Sequence, residues 1–462
     1  MADLHPLAAW DGLPGRLTVW RPSSAALDAV ARAPVSLVPP SYEQEQHLRA
    51  YRACRARGEE MARVLVFAWD APGTCDMRAM GHVVEAHLRR HDAYHGWFAD
   101  GDERIVRHVL PDPSAIRIEP VVLGETGPDG WRRIAAELPG PFAWDCFRFG
   151  VVQRASGFTF FASIDHVVID STVVVTLVEE IHRRYRAIAD GEAPPRLDPA
   201  GSYLDHVRAQ RAEMAHATLE TPGVQRWIEV LRRHGGRMPA FPLPLGALED
   251  RVPTAMTNAV LLDPDDADRF AAACRTAGAR TLGGLFAAAA LAERSLAGTT
   301  RYGVVTPTTT RRPGDGARTV GWCMGIVPID LETDGQGFAA LARTAQSVFD
   351  DRIQLAAIPI ERVLELAVAL PDIRPAATGG VMLSYMDIGL PPYNARSAAE
   401  WEALAGRVYL SPGMAAQVGL WVVRGRRGLT LTAAFPDTAI ARASMEQYIA
   451  ALRDACRSVA RG

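Results

Sequence analysis

Apolar positions along this chain repeat with two periods, and the two take turns. "ARVLVFAWD" (62–70) is an almost unbroken apolar, β-rich run ended by Asp-Ala-Pro-Gly, which predicts a buried strand. In "DMRAMGHVVEAHLRRH" (76–91), Met80, Val83, Val84, His87 and Leu88 fall on one side of a helix. "CFRFGVVQRASGFTFFASIDH" (146–166) predicts a hairpin that turns at "RASG". On its second strand Phe158, Phe160, Ala162, Ile164 and His166 share one face, while Thr159, Ser163 and Asp165 take the other. "TVVVTLVEEIHRRY" follows and predicts a helix.

"IADGEAPPRLDPAGS" (188–202) breaks the pattern with proline, glycine and aspartate and predicts a linker. Helical spacing resumes in "SYLDHVRAQRAEMAHA" and "PGVQRWIEVLRRHGG". From about residue 258 the order strand, helix, strand returns in "TNAVLLD", "DADRFAAACRTAG", "TLGGLFAAAALAERSLAG" and "RYGVVTPTTTRR". The expected class is α/β. Residues 1–190 form a first lobe, 191–202 a linker and 203–462 a second lobe, with a cleft between lobes as the expected site.

Composition narrows the chemistry. The chain of 462 residues is 48% hydrophobic and 22% charged, a globular balance, with a formal net charge of -3 and no long run of one sign. That argues against nucleic acid, which needs a concentrated basic surface. No stretch of about 20 apolar residues appears, and the best candidate is interrupted by Glu293 and Arg294. The first residues lack the basic-then-apolar pattern of a signal peptide, so a cytoplasmic location is expected. Six scattered cysteines without a Cys-x-x-Cys pair predict reduced thiols.

Two absences carry more weight. The sequence contains no lysine, which removes both a P-loop and a pyridoxal Schiff base. It contains no histidine after His234, so a histidine base has to come from the first half. His87, His91 and His95 are spaced for one helix face, as zinc ligands sometimes are. No His-Glu-x-x-His accompanies them and arginines 89 and 90 lie beside them, so no metal is expected. No G-x-S-x-G elbow is present, and no G-x-G-x-x-G follows a predicted strand. A Cys–His pair from Cys146 and His166 on adjacent strands is conceivable, yet no pattern singles it out.

"SIDHVVIDS" (163–171) is left. His166 stands where a strand gives way to a helix, with Asp170 four residues on. Asp170 or Ser171 is placed to cap that helix. A carboxylate there can pair with an arginine and fix the loop. A neutral imidazole is suited to take a proton from a hydroxyl or amine.

The stretch resembles the HHxxxDG motif of the condensation-domain and acyltransferase superfamily. "PPSYEQEQHL" (39–48, with Ser41 and Gln44) is similar to that family's N-terminal Ser-x-x-Gln segment, and "LRRHDAYHGWF" (88–98) to its R-H-E-x-L-R-x-x-F segment. "PFAWDCFRFGVVQ" (141–153), "VVTPTTTRR" (304–312) and "VGWCMGIVPIDLE" (320–332) resemble further family segments in the same order. The mycobacterial polyketide-associated acyltransferases are the nearer likeness. Two positions depart: Asp165 stands for the first motif histidine and Ser171 for the final glycine. The D-F-G-W-G motif is not intact, its nearest segment being Asp387-Ile388-Gly389-Leu390.

The resemblance implies two chloramphenicol acetyltransferase-like lobes, each a mixed sheet with helices, and an active-site tunnel at their interface. It implies an acyltransferase that moves an acyl group from a carrier-protein or coenzyme A thioester to a hydroxyl, forming an ester in bacterial natural-product or lipid biosynthesis. His166 is the implied base, and Asp170 is structural with Arg311 as its implied partner. Asp165, Ser171, Ser384 and Tyr385 are candidates for the substrate tunnel. No bound cofactor is expected, the phosphopantetheine-linked thioester being a substrate. The expected partners are a transiently docked acyl or peptidyl carrier protein, or coenzyme A, and a small hydroxyl or amine acceptor. The chain itself is expected to be a monomer. Amide formation on an amine and a non-catalytic recruitment module are the alternatives.

Overall fold

The computed structural model describes residues 4–101, 104–247, 252–374, 380–391, 393–415 and 417–462. In chain order the strands are β1 (Leu4–Pro6), β2 (Gly15–Pro22), β3 (Val64–Pro72), β4 (Gly96–Asp100), β5 (Ile105–Val109), β6 (Ile118–Thr126), β7 (Phe147–Gln153) and β8 (Gly157–Asp165). They continue as β9 (Thr254–Leu262), β10 (Arg301–Thr309), β11 (Met324–Glu332), β12 (Met382–Asp387), β13 (Arg407–Leu410), β14 (Gly419–Gly425) and β15 (Gly428–Pro436). Both large sheets are mixed: one runs β1-β13-β3-β8-β7-β2-β6 and the other β11-β10-β12-β14-β15-β9. Strands β4 and β5 pair by themselves.

The chain divides into two compact units, and they are not the two halves of the sequence. The first gathers Met1–Ala215, Arg311–Cys323 and Gly389–Pro412; the second holds His216–Thr310, Met324–Ile388 and Gly413–Gly462. Residues 191–202 do lack helix and strand, yet they do not mark the boundary. The helix after them, Tyr203–Ala215, is tied back to the first unit. Asp92 accepts from the Tyr203 and Leu204 amides at 2.7 and 3.2 Å, and Arg211 Nε donates to the Pro40 carbonyl at 2.7 Å. Sequence composition marks where a chain is irregular; only packing decides which unit holds the next helix.

In the first unit β8 lies between β3 and β7, with Val64 opposite Asp165 and Phe147 opposite Ile164. Such a central strand is covered on both faces, which is why Phe158 to Asp165 are all buried. The helix Tyr42–Ala56 starts at a capping box: Ser41 Oγ accepts from the Gln44 amide and Gln44 Oε1 from the Ser41 amide, both at 3.1 Å. The helix Met77–Arg90 buries the predicted Met80, Val83, Val84, His87 and Leu88. The second unit packs the alanine-rich helix Thr281–Ala297 and the long helix Ala439–Arg461 into its own apolar core. Among the described residues no helix is long and apolar enough to cross a membrane.

Candidate active site

His166 is not the last residue of a strand. β8 ends at Asp165, and His166–Val168 form a single 3-10 turn. The turn is held from three elements. The His166 amide donates to the Arg63 carbonyl at 2.8 Å, extending the β3 ladder by one bond. Asp165 Oδ1 accepts from the Val167 amide at 2.9 Å. Gln44 Nε2 donates to the Val167 carbonyl at 2.7 Å, so the same side chain that closes the capping box reaches the turn.

Asp165 is 0% exposed, and neighbours take both of its oxygens. His47 Nε2 lies 2.9 Å from Oδ1, and Arg63 Nη1 pairs with Oδ2. Arg63 Nη2 also donates to the Leu138 carbonyl at 2.9 Å. Burial alone would raise the Asp165 carboxyl; His47 first and then Arg63 hold it below the usual range instead.

Asp170 is only 2% exposed and more heavily bonded still. Arg311 takes it with two parallel bonds, Nη1 to Oδ2 at 2.8 Å and Nη2 to Oδ1 at 2.9 Å. The Cys323 amide donates to Oδ2 at 3.0 Å, and Thr172 adds its amide at 3.0 Å and its hydroxyl at 2.7 Å on Oδ1. Burial would raise this carboxyl; Arg311 and Thr172 keep it ionised, below its ordinary value. The loop before Cys323 wraps the guanidinium, with the Thr319 and Gly321 carbonyls accepting from it at 2.9 and 3.2 Å. Gly321 is required there, because a Cβ would fall 2.2 Å from the Tyr203 ring.

Between these two carboxylates the His166 ring rests on Trp322, centroids 4.1 Å apart. Its Nδ1 is buried, and among the described residues nothing hydrogen-bonds it, while the residue as a whole keeps partial exposure. Burial pushes the imidazole below its ordinary value and the charge of His47 adds to that; its own main chain, Asp170 and Asp165 act the other way. The result is an imidazole biased toward its neutral form, with Nδ1 buried and the residue partly exposed. Ser171 Oγ lies 3.2 Å from Tyr393 Oη.

The condensation-domain family model matches residues 64–367. The chain belongs to the condensation-domain family. Over 458 residues it is 41% identical to trehalose-2-sulfate acyltransferase PapA2 of Mycobacterium tuberculosis, covering 98% of this chain and 96% of that one. It is 38% identical over 452 residues to acyltransferase PapA3 of the same organism, covering 98% of this chain and 95% of that one. A solved structure of PapA2 acyl transferase superposes with a TM-score of 0.95 at 40% identity over 100% of both chains. This protein is an acyltransferase of the condensation-domain type.

In this acyltransferase the predicted Asp170–Arg311 partnership is present as a bidentate pair. Asp165, expected beside the substrate, is instead enclosed by His47, Arg63 and the Val167 amide, because a buried carboxylate has to have all its lone pairs met. Ser384 and Tyr385 lie on β12 of the second unit, where the Tyr385 hydroxyl donates to Asp387 Oδ2 at 3.4 Å. Cys146 is buried with its thiol pushed well above the ordinary value, and its carbonyl accepts from the Asp165 amide at 2.9 Å, which does not suit a nucleophile. His47, Trp322 and Tyr393 were not singled out by the sequence reading. The Ser-x-x-Gln segment, three residues before His47, was the one available pointer to it.

The row of histidines resolves differently from its spacing. His87 Nδ1 and His91 Nε2 both reach Glu180 Oε2 at 2.9 Å, with all three ligand atoms within 4.8 Å of one another. Arg90 Nε donates to Glu180 Oε1 at 3.0 Å, and His87 Nε2 lies 3.3 Å from Tyr94 Oη. Among the described residues, these are the side chains grouped so that they could hold a metal. Glu180 already carries three bonds, one from an arginine, which fits a hydrogen-bonded cluster better than a metal site. His95 takes no part; its Nε2 faces the Leu88 and Arg89 carbonyls at 3.2 and 3.1 Å. Glu180 reaches the cluster from a π-helical turn, Leu177–His182, inside the predicted helix.

Proposed function

We propose that this protein forms esters, transferring an acyl group from a phosphopantetheine-linked thioester to a hydroxyl of a sugar-like acceptor, with His166 as the general base. The carrying observation is His166 itself. Burial disfavours charge on its imidazole, which is fixed on a bonded turn, tilted against Trp322, and buried at Nδ1 while the residue keeps partial exposure. With the Nδ1 side buried, Nε2 is the nitrogen left to meet a substrate.

In the reaction Nε2 takes the acceptor hydroxyl's proton as its oxygen attacks the thioester carbonyl. The tetrahedral intermediate expels the thiolate, and the imidazolium returns the proton to sulfur. One C–O bond forms and one C–S bond breaks, with no net change in protons. No acyl-enzyme is required. Holding both substrates beside one imidazole supplies much of the acceleration. Asp170 touches no reacting atom; bound by Arg311, Thr172 and Cys323, it anchors the chain four residues beyond His166. The hydroxyl acceptor is supported by the 41% identity to a trehalose-2-sulfate acyltransferase. Coenzyme A and a separate carrier protein present the same phosphopantetheine arm, and either serves as donor.

The test is product analysis by mass. Wild type and His166→Asn are given acyl-coenzyme A or acyl-carrier donors with hydroxyl and amine acceptors. Ester product from wild type alone is the expected result. Equal product from both proteins, or acylation of amines only, overturns the proposal.

A further inference from the structure

The buried pair beside His166 is more than the mechanism above uses. Asp165 occupies the strand end next to the base and is bonded at both oxygens, by His47 and by Arg63. Each of these partners reaches His166 by a second route. Arg63 accepts the His166 amide proton at its carbonyl, 2.8 Å away. His47 presents its ring edge-on to Trp322, centroids 5.6 Å apart at 77°, and Trp322 is the ring on which His166 rests. Asp165 itself accepts the amide of Val167, the residue after the base. The His47 ring is almost wholly buried, so it holds its place without help from solvent.

We infer that His47 and Asp165 are positioning residues for His166, a buried dyad that sets the orientation and protonation of the base through Trp322 and the 166–168 turn. The inference rests on reading His166 as the base. Neither residue touches substrate. The charged groups facing His166 are His47 from the helix Tyr42–Ala56, Asp165 and Asp170 on either side of it, and Arg63 and Arg311 bound to those carboxylates. Beside Asp165, His47 acts electrostatically against a charge on His166. Removing it lets His166 accept a proton more readily and hold it when a free lone pair is needed.

The experiment is the pH–rate profile of His47→Gln beside wild type, with His47→Lys as the charge-retaining rescue. The expected result for Gln is an acid limb moved up by about one pH unit, so that kcat on the falling limb drops toward roughly ten-fold below wild type and the two profiles converge by about pH 8.5. KM for donor and acceptor should stay within about two-fold, and Lys should restore the wild-type profile. A uniform fall at every pH, or superimposed profiles, overturns the inference. Should the Gln protein not fold, 15N-histidine spectra of wild type decide. A two-step titration of His166 supports the coupling, and a single-site curve overturns it. His166→Asn separates this inference from its premise. If that variant turns over, the base assignment fails; if it is silent while the His47→Gln profile is unmoved, only the dyad fails.

Discussion

Arg311 closes on Asp170 through both carboxylate oxygens, at 2.8 and 2.9 Å, although the two residues are 141 positions apart in the chain. The pair is buried on both sides, and backbone amides and Thr172 meet what the guanidinium leaves free. Removing one member strands a charge in a low-dielectric site. Arg311→Ala should cost about 3–5 kcal/mol, and Asp170→Leu with Arg311→Met much less than the sum of the single changes. Denaturant unfolding of the three proteins checks this. Because the Asp170 carboxyl titrates below its usual value in the folded protein, its stabilisation is present above the unfolded carboxylate pKa. It is lost as pH falls through the folded value, and Asp170→Asn should lack that part of the acid sensitivity.

His166→Asn should lower kcat by about 10²–10⁴-fold with little change in unfolding midpoint, since the turn is held through the His166 backbone amide, and among the described residues its Nδ1 has no hydrogen-bond partner. The wild-type acid limb should lie below the ordinary imidazole value, because burial and His47 both disfavour the charged ring. A kcat/KM profile from pH 4.5 to 8 measures it, and a limb above 6.5 contradicts the assignment.

Ser171 has no positive φ, so its backbone does not call for the glycine that the family motif carries there. Its hydroxyl meets Tyr393 Oη at 3.2 Å. Ser171→Gly and Tyr393→Phe should each cost about 0.5–1.5 kcal/mol, and the double change no more than the larger single one. If the serine restricts the acceptor, Ser171→Gly lowers KM for bulkier alcohols. Unfolding curves and an acceptor series read the two effects separately.

Glu293 lies buried in the helix Thr281–Ala297, where Tyr448 Oη donates to it at 3.3 Å. Burial pushes its carboxyl up to about 8. A raised folded value means the stabilisation is full below the unfolded carboxylate pKa and is lost as pH rises toward about 8. Glu293→Gln, which resembles the protonated acid, should remove a decline of about 1.4 kcal/mol per pH unit in that window. The variant should be the more stable protein at pH 8 and nearly equal at pH 4.5, as urea unfolding at each pH will show.

Much of the architecture was legible because it is written locally. The apolar run at 62–70 and the alternation from Phe158 to His166 are properties of neighbouring residues, and strands formed over Val64–Pro72 and Gly157–Asp165. The helical side of Met80, Val83, Val84, His87 and Leu88 is buried as its spacing requires. The residues alone suggested that Asp170 would pair with some arginine; the family resemblance singled out Arg311, and that pair is present. The end of β8 was misplaced by one residue. Strand periodicity cannot show that Asp165, capping the Val167 amide, turns the chain before His166.

The sequence by itself located several of the strands and helices, confined every histidine to residues 5–234, and showed which chemistries lack their residues. Tertiary structure alone decided what each polar group meets. Asp165 lies 118 residues from His47 and 102 from Arg63, and no pattern within a strand or helix links positions so far apart. Trp322 comes to His166 on a segment that belongs to the first unit although it lies in the chain between two segments of the second. Periodicity records the face a residue presents. The partner on that face is fixed only when the whole chain packs, because a buried charge persists only where every neighbour that satisfies it arrives together.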